Sequence, residues 1–131
     1  MNNNYLAFLG LAKKAGALEV GDEAARAAIS AGKVRLVLIA SDSSERTRSA
    51  FEFFSESANV PCITVKDTRA ELGNALGRRP CAVVAVCDIG FAAALVKKLS
   101  EGNAEAKACL ERIEEKAKKI SARKKATKRK K

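Results

Sequence analysis

The chain has no histidine and no tryptophan, and only one tyrosine and two prolines among its 131 residues. Without histidine it lacks the usual general base at neutral pH and the commonest nitrogen ligand for zinc. The four cysteines, Cys62, Cys81, Cys87 and Cys109, form no C-x-x-C pair, so neither a zinc knuckle nor a dithiol redox site is indicated. Cys62, Cys81 and Cys87 lie in apolar surroundings, where a thiol acts as a small hydrophobe. All four are expected to be free thiols without a catalytic role. There is no G-x-x-x-x-G-K-[ST] or G-x-G-x-x-G run, which excludes the common phosphate loops. The carboxylates Asp22, Asp42, Glu71 and Asp88 fall at helix starts, where capping explains them. No enzyme, no cofactor and no metal site is expected. No apolar run approaches the ~20 residues a membrane helix requires, and Met1-Asn2-Asn3-Asn4 has no leader character. A cytoplasmic protein without a membrane partner is therefore expected.

What is abundant is positive charge, unevenly placed. Residues 1–102 hold 13 Lys and Arg against 11 Asp and Glu, a net of +2. Residues 103–131 hold 12 against 4, a net of +8. The chain thus reads as a nearly neutral domain over 1–102 and a basic tail over 103–131. Such a tail attracts polyanions, above all nucleic acid. Residues 104–121 have a thin helical stripe (Cys109, Ile113, Ala117, Ile120), with Glu114/Lys118 and Glu115/Lys119 as i, i+4 pairs. From Ser121 onward seven of eleven residues are basic, namely Arg123, Lys124, Lys125, Lys128, Arg129, Lys130 and Lys131. Their repulsion predicts disorder without a partner, and they are the expected phosphate contacts.

The apolar pattern of the first hundred residues alternates short strands with single helices. Tyr5, Phe8, Leu9 and Ala12 share one helical face, closed by Lys13 and Lys14 and ended by Gly16. Leu18–Val20 reads as a strand. Asp22 is expected to cap a second helix with Ala25, Ala28 and Ile29 inward, ended by Gly32. Residues 35–40 form an apolar strand covered on both faces. A third helix turns Ala50, Phe51, Phe54 and Ala58 inward. Pro61 opens a strand over 62–65. Thr68 and Glu71 have the capping-box spacing for a fourth helix, with Leu72, Ala75 and Leu76 inward and Gly77 as its stop. Residues 81–87 repeat the doubly buried pattern. Asp88 caps a fifth helix with Phe91, Ala94, Leu95 and Leu99 inward, and Gly102 follows as its stop. Alternation of this kind predicts an α/β fold with helices on both faces of a partly parallel sheet.

Two glycine-bearing turns carry the candidate binding residues. In the first, Gly21, Asp22 and Glu23 open a helix that also carries Arg26, and the helix-start amides can donate to phosphates or base edges. In the second, Gly77 is followed by Arg78, Arg79, Pro80 and Cys81, and the arginine pair can lie on phosphates or stack on bases. Lys13 and Lys14 are expected near these turns.

Four stretches, LGLAKKAGALEVG (9–21), AGKVRLVLIASDSSE (31–45), TRAELGNALGRRPCAVVAV (68–86) and DIGFAAALVKKL (88–99), carry a resemblance across residues 4–99. The chain resembles the kink-turn-binding ribosomal protein family, the L-seven-Ae and L-thirty-e group, and looks most like its small bacterial YlxQ-like branch. The resemblance implies a three-layer α/β/α sandwich with a mixed four-stranded sheet and recognition of kinked or structured RNA. It implies that the start of the second helix, 21–27, reads tandem sheared G·A pairs and that the loop over 78–82, including Ala82, packs on a flipped-out base. Strong kink-turn binders of the family carry Asn, Glu and Lys where this chain has Glu23, Ala24 and Ala27. The expected protein is a monomeric RNA-binding accessory factor of translation or ribosome assembly, with structured RNA and ribosomal or translation proteins as partners. Two alternatives stay open: a protein-interaction module on the same fold with weak non-specific RNA contact, and the RNA-reading half of a two-part RNA methyltransferase.

Overall fold

Two runs, LVLI and VVAV, form the centre of the molecule because every residue in them is apolar and able to face a covered layer. In the computed structural model, which describes residues 4–77, 79–100, 110, 113–115 and 118–120, they are β2 (Leu36–Ile39) and β4 (Val83–Val86). The outer strands are β1 (Leu18–Val20) and β3 (Cys62–Thr64). The sheet order is β1-β4-β2-β3, with β4 antiparallel to β1 and β2, and β2 parallel to β3. This is the expected mixed four-stranded sheet. The helices are α1 (Asn4–Lys14), α2 (Asp22–Ser30), α3 (Glu45–Ser57), α4 (Arg69–Ala75) and α5 (Ile89–Leu99).

Strand alternation sorts the core into two layers. Leu36, Leu38, Ile63, Val84 and Val86 meet Leu9, Leu72 and Leu95 on the side of α1, α4 and α5. Val37, Ile39, Val83 and Ala85 meet Ala25, Ile29 and Phe51 on the side of α2 and α3. Leu110, residues 113–115 and residues 118–120 are helical, and Ile113 is fully buried in the first layer. Packing therefore continues past residue 102. Gly102, Cys109 and residues 121–131 lie outside the described residues.

Helix ends follow side-chain chemistry. Ser44 caps α3 by accepting from the Thr47 amide, Thr68 and Glu71 form a reciprocal capping box at α4, and Asp88 caps α5 by accepting from the Phe91 amide. Gly16, Gly32 and Gly77 take the left-handed conformation just past their helices.

Three details depart from expectation. Asp22 does not cap α2. Gly21 does, with φ 99° and no side-chain hydrogen bond, because its amide is committed to the Val83 carbonyl (2.9 Å) and its carbonyl accepts from the Ala25 amide (2.9 Å). The helix thus opens one residue earlier, and Asp22 is its first residue. Ala58 is exposed, while Ser55 is buried in its place. The Ala58 amide closes the helix on the Phe54 carbonyl, and Asn59 turns the chain away at φ 58°. In α5 the buried face is Ala92, Leu95 and Val96, with Phe91, Ala94 and Leu99 at its half-buried margin.

The phenol of Tyr5, at the start of α1, donates to the buried carboxylate of Asp67, just before α4. Burial first, then this hydrogen bond and the carboxylate charge, push the phenol well above its ordinary value. The native state therefore holds this proton more tightly than the unfolded state. The resulting stability is complete below about pH 10 and is lost as pH rises further. Tyr5 is the only tyrosine and there is no tryptophan, so the phenolate absorbance band reports it alone. The native protein is expected to show no phenolate band through pH 10 and to develop it only with alkaline unfolding. A native-state transition near pH 10 contradicts this.

Candidate functional site

Strand direction decides which loops meet. β1, β2 and β3 end, and β4 begins, at the same end of the sheet. There the Gly21 amide binds the Val83 carbonyl, the Ala40 amide binds the Ala82 carbonyl (2.8 Å), and the Val65 amide binds the Ile39 carbonyl (2.8 Å). The opening of α2 and the loop that leads into β4 are thereby brought side by side, although they are nearly sixty residues apart in sequence.

At the first segment, helix geometry leaves the leading amides of α2 without intrahelical acceptors. No side chain caps them. Asp22 and Glu23 are exposed on the first turn, where carboxylates suit the helix dipole. Amides donate and carboxylates accept, a combination matched to base edges bearing both acceptors and amino groups. A phosphate at the same amides would meet two like charges. Arg26 does not join this cluster. It lies exposed on α2 with its guanidinium 4.8 Å from the centre of the Phe54 ring on α3. This cation–π contact directs it along the α2–α3 surface.

At the second segment, Arg79 and Pro80 are exposed and Cys81 is buried. The Cys81 amide donates to the Arg69 carbonyl (3.1 Å), and the Ala82 carbonyl accepts from both Ala40 N and Ser43 Oγ (3.3 Å). The backbone of Cys81 and Ala82 is therefore occupied in holding the loop, which leaves the Arg79 side chain and the Pro80 ring as its outward chemistry. Arg78 lies outside the described residues, as do Arg123, Lys124, Lys125, Lys128, Arg129, Lys130 and Lys131.

Lys13 lies against the start of the second turn. α1 runs alongside α4: Tyr5 reaches Asp67 at one end, and Lys13 Nζ donates to the Leu76 carbonyl (2.8 Å) at the other. Lys13 follows Tyr5 by eight positions along the helix, about 12 Å. Lys13 thus marks the end of α4 remote from the Asp67 loop, where Gly77 opens the second turn. Lys13 satisfies a helix-terminal carbonyl there, as a cation at a helix C-terminus does.

Two residues at the sheet end were not legible as site residues. Asp42 read as a cap at a helix start and Arg69 lay within the Thr68–Glu71 box, but the Arg69 Nε lies 3.5 Å from Asp42 Oδ1. Cys87 lies at the far end of β4, its amide on the Ala17 carbonyl, and burial followed by the charge of Glu19 raises its thiol above the ordinary value. Among the described residues, no group of three or more metal-ligating side chains is assembled, and no helix is long and apolar enough to cross a membrane.

The fold and the two-loop cluster define a class. Residues 4–96 match the model of the Ribosomal protein L7Ae/L30e/S12e/Gadd45 family, and the chain belongs to that family. The chain is 36% identical to the RNA-binding protein YlxQ of Enterococcus faecium over 94 residues, 72% of this chain and 88% of that protein. It is 31% identical over 78 residues to the large ribosomal subunit protein eL30 of Aeropyrum pernix, which covers 59% of this chain and 78% of that one. A solved structure of a protein with unknown function from Bacillus halodurans C superposes with a TM-score of 0.71 at 31% identity, over 76% of this chain and 99% of that chain. The Giardia lamblia 15.5kD RNA binding protein shares the fold, with a TM-score of 0.62 at 20% identity over 77% and 92% of the two chains.

Proposed function

We propose that this chain is a cytoplasmic, monomeric RNA-binding protein without a catalytic step. It grips structured RNA at the end of the sheet where α2 begins and acts as an accessory factor in translation or ribosome assembly. The observation that carries this reading is the meeting of the uncapped α2 amides with the exposed Arg79–Pro80 turn. One element offers donors and acceptors in fixed register, and the other a planar cation beside a rigid ring. Membership of a family that includes ribosomal proteins, and 36% identity to a protein named for RNA binding, support it. The basic residues from Arg123 to Lys131 supply attraction that does not depend on RNA shape.

Titration of the parent and of an Arg78→Ala/Arg79→Ala variant against a kink-turn duplex and a plain duplex at one salt concentration tests the reading. The parent is expected to prefer the kinked RNA. The variant is expected to lose most of that preference, roughly tenfold, while still binding plain duplex through the tail. Binding to neither RNA removes the proposal. A second reading, a protein-interaction module, draws on Glu23, Ala24 and Ala27 standing where kink-turn binders carry Asn, Glu and Lys. Equal binding of the two RNAs by the parent favours it.

A further inference from the structure

We infer that Asp42 is a positioning residue for RNA discrimination, holding the loop over 79–82 in register from across the end of the sheet. The inference rests on the RNA-binding reading above. Asp42 lies between β2 and α3, but α3 does not use it, because Ser44 caps that helix. Its carboxylate instead crosses to α4, where Oδ1 accepts from the Arg69 amide (2.8 Å). Thr68 and Glu71 already serve two other amides at this helix start. The Arg69 amide is one that the helix cannot satisfy itself. On the opposite side of the same residue, the Arg69 carbonyl accepts from the Cys81 amide. One backbone unit therefore links Asp42 to the loop.

A second arm starts from the next residue, where buried Ser43 donates to the Ala82 carbonyl. Consecutive residues 42 and 43 thus fix consecutive residues 81 and 82, one through α4 and one directly. The side chains left free to face a ligand, Arg79 and Pro80, immediately precede the two anchored peptides. Asp42 and Arg69 are both partly solvated, so their ion pair itself contributes little. What the carboxylate supplies is a charge-assisted hydrogen bond that sets the position of the α4 start relative to β2.

Three roles for Asp42 predict different results when full-length protein is titrated with the kink-turn and plain duplexes. A positioning role predicts that Asp42→Ala lowers the preference for kinked RNA by about tenfold with plain-duplex binding nearly unchanged, the scale of one charge-assisted hydrogen bond. It also predicts that Asp42→Asn, whose amide oxygen still accepts from Arg69, restores most of the preference. Amide exchange at Cys81 should be faster in the alanine variant than in the asparagine variant. A purely repulsive carboxylate predicts tighter binding of both RNAs by Asp42→Ala with the ratio intact, and a simple cap predicts a lower melting temperature with the ratio intact. Either result overturns the inference. If Asp42→Ala does not fold, Asp42→Glu keeps the charge and shifts it by one methylene, and an unchanged ratio there overturns the inference equally. A failure of the RNA-binding reading is seen in the parent itself, which then binds neither duplex, and the inference falls with it.

Discussion

Replacing Gly73 with alanine is expected to lower the melting temperature by roughly 5–15 °C, the cost of overpacking by one methyl group in a domain of this size. Gly73 is buried in α4 at a conformation any residue can adopt, so its requirement is spatial. A Cβ there would lie 2.6 Å from the Arg79 carbonyl carbon and 2.8 Å from Pro80 Cα, and closer still to the Arg79 oxygen. All three are backbone atoms of the candidate RNA-binding loop, which cannot rotate aside as a side chain would. The loop must lift from the helix, which strains the Cys81–Arg69 hydrogen bond. Preference for structured RNA is therefore expected to fall together with stability. Gly10 provides the control. It is half-buried where α1 packs on α4, but a Cβ there meets only the Ala75 carbonyl at 3.4 Å, an ordinary separation. Gly10→Ala is expected to be neutral or to stabilise by up to about 1 kcal/mol through helix propensity. Thermal melts followed by circular dichroism compare the two, and a Gly73→Ala protein as stable as the parent would sink the close-packing account.

Deletion of residues 121–131 is expected to reduce the salt dependence of RNA binding more than any other change. It removes seven cations and no acid, taking the net charge from +10 to +3. If every one of the seven meets a phosphate of a duplex, the slope of log affinity against log salt flattens by about 6, and by proportionately less if fewer do. Affinity should fall steeply at low salt, while parent and truncated protein converge at high salt. Preference for kinked over plain RNA should be retained, because contacts of lysines and arginines to phosphates carry no sequence information. Titrations at four salt concentrations decide it. An unchanged slope means that these cations do not touch RNA, and a lost preference moves the reading surface from the sheet end to the tail.

Much of the architecture was legible because the deciding forces are local. Strands β2 and β4 announce themselves as unbroken apolar runs that only a doubly covered position accepts. The Thr68–Glu71 box, the Asp88 cap and the glycines at 16, 32 and 77 mark helix ends through interactions spanning a few residues. The resemblance over residues 4–99 carried the sheet's mixed topology, which periodicity alone leaves open.

The site was only half legible. Gly21 and the Arg79 turn stand out as glycine and cation among apolar segments, but their adjacency depends on β4 lying antiparallel to β1. Lys13 meets the residue before Gly77 but not Gly21, because β1 carries the chain from the end of α1 across the sheet before α2 opens. Arg26 looked like a free cation until α3 supplied the Phe54 ring. Asp42 looked like a local cap because capping by its own helix is the nearest use of a carboxylate there. Which residues form helices and strands, and which faces they bury, was set by short-range periodicity and capping within the sequence itself. Which loops meet, which cations remain free and which carboxylate holds the loop were decided only in three dimensions, since those contacts join residues between 12 and 63 positions apart.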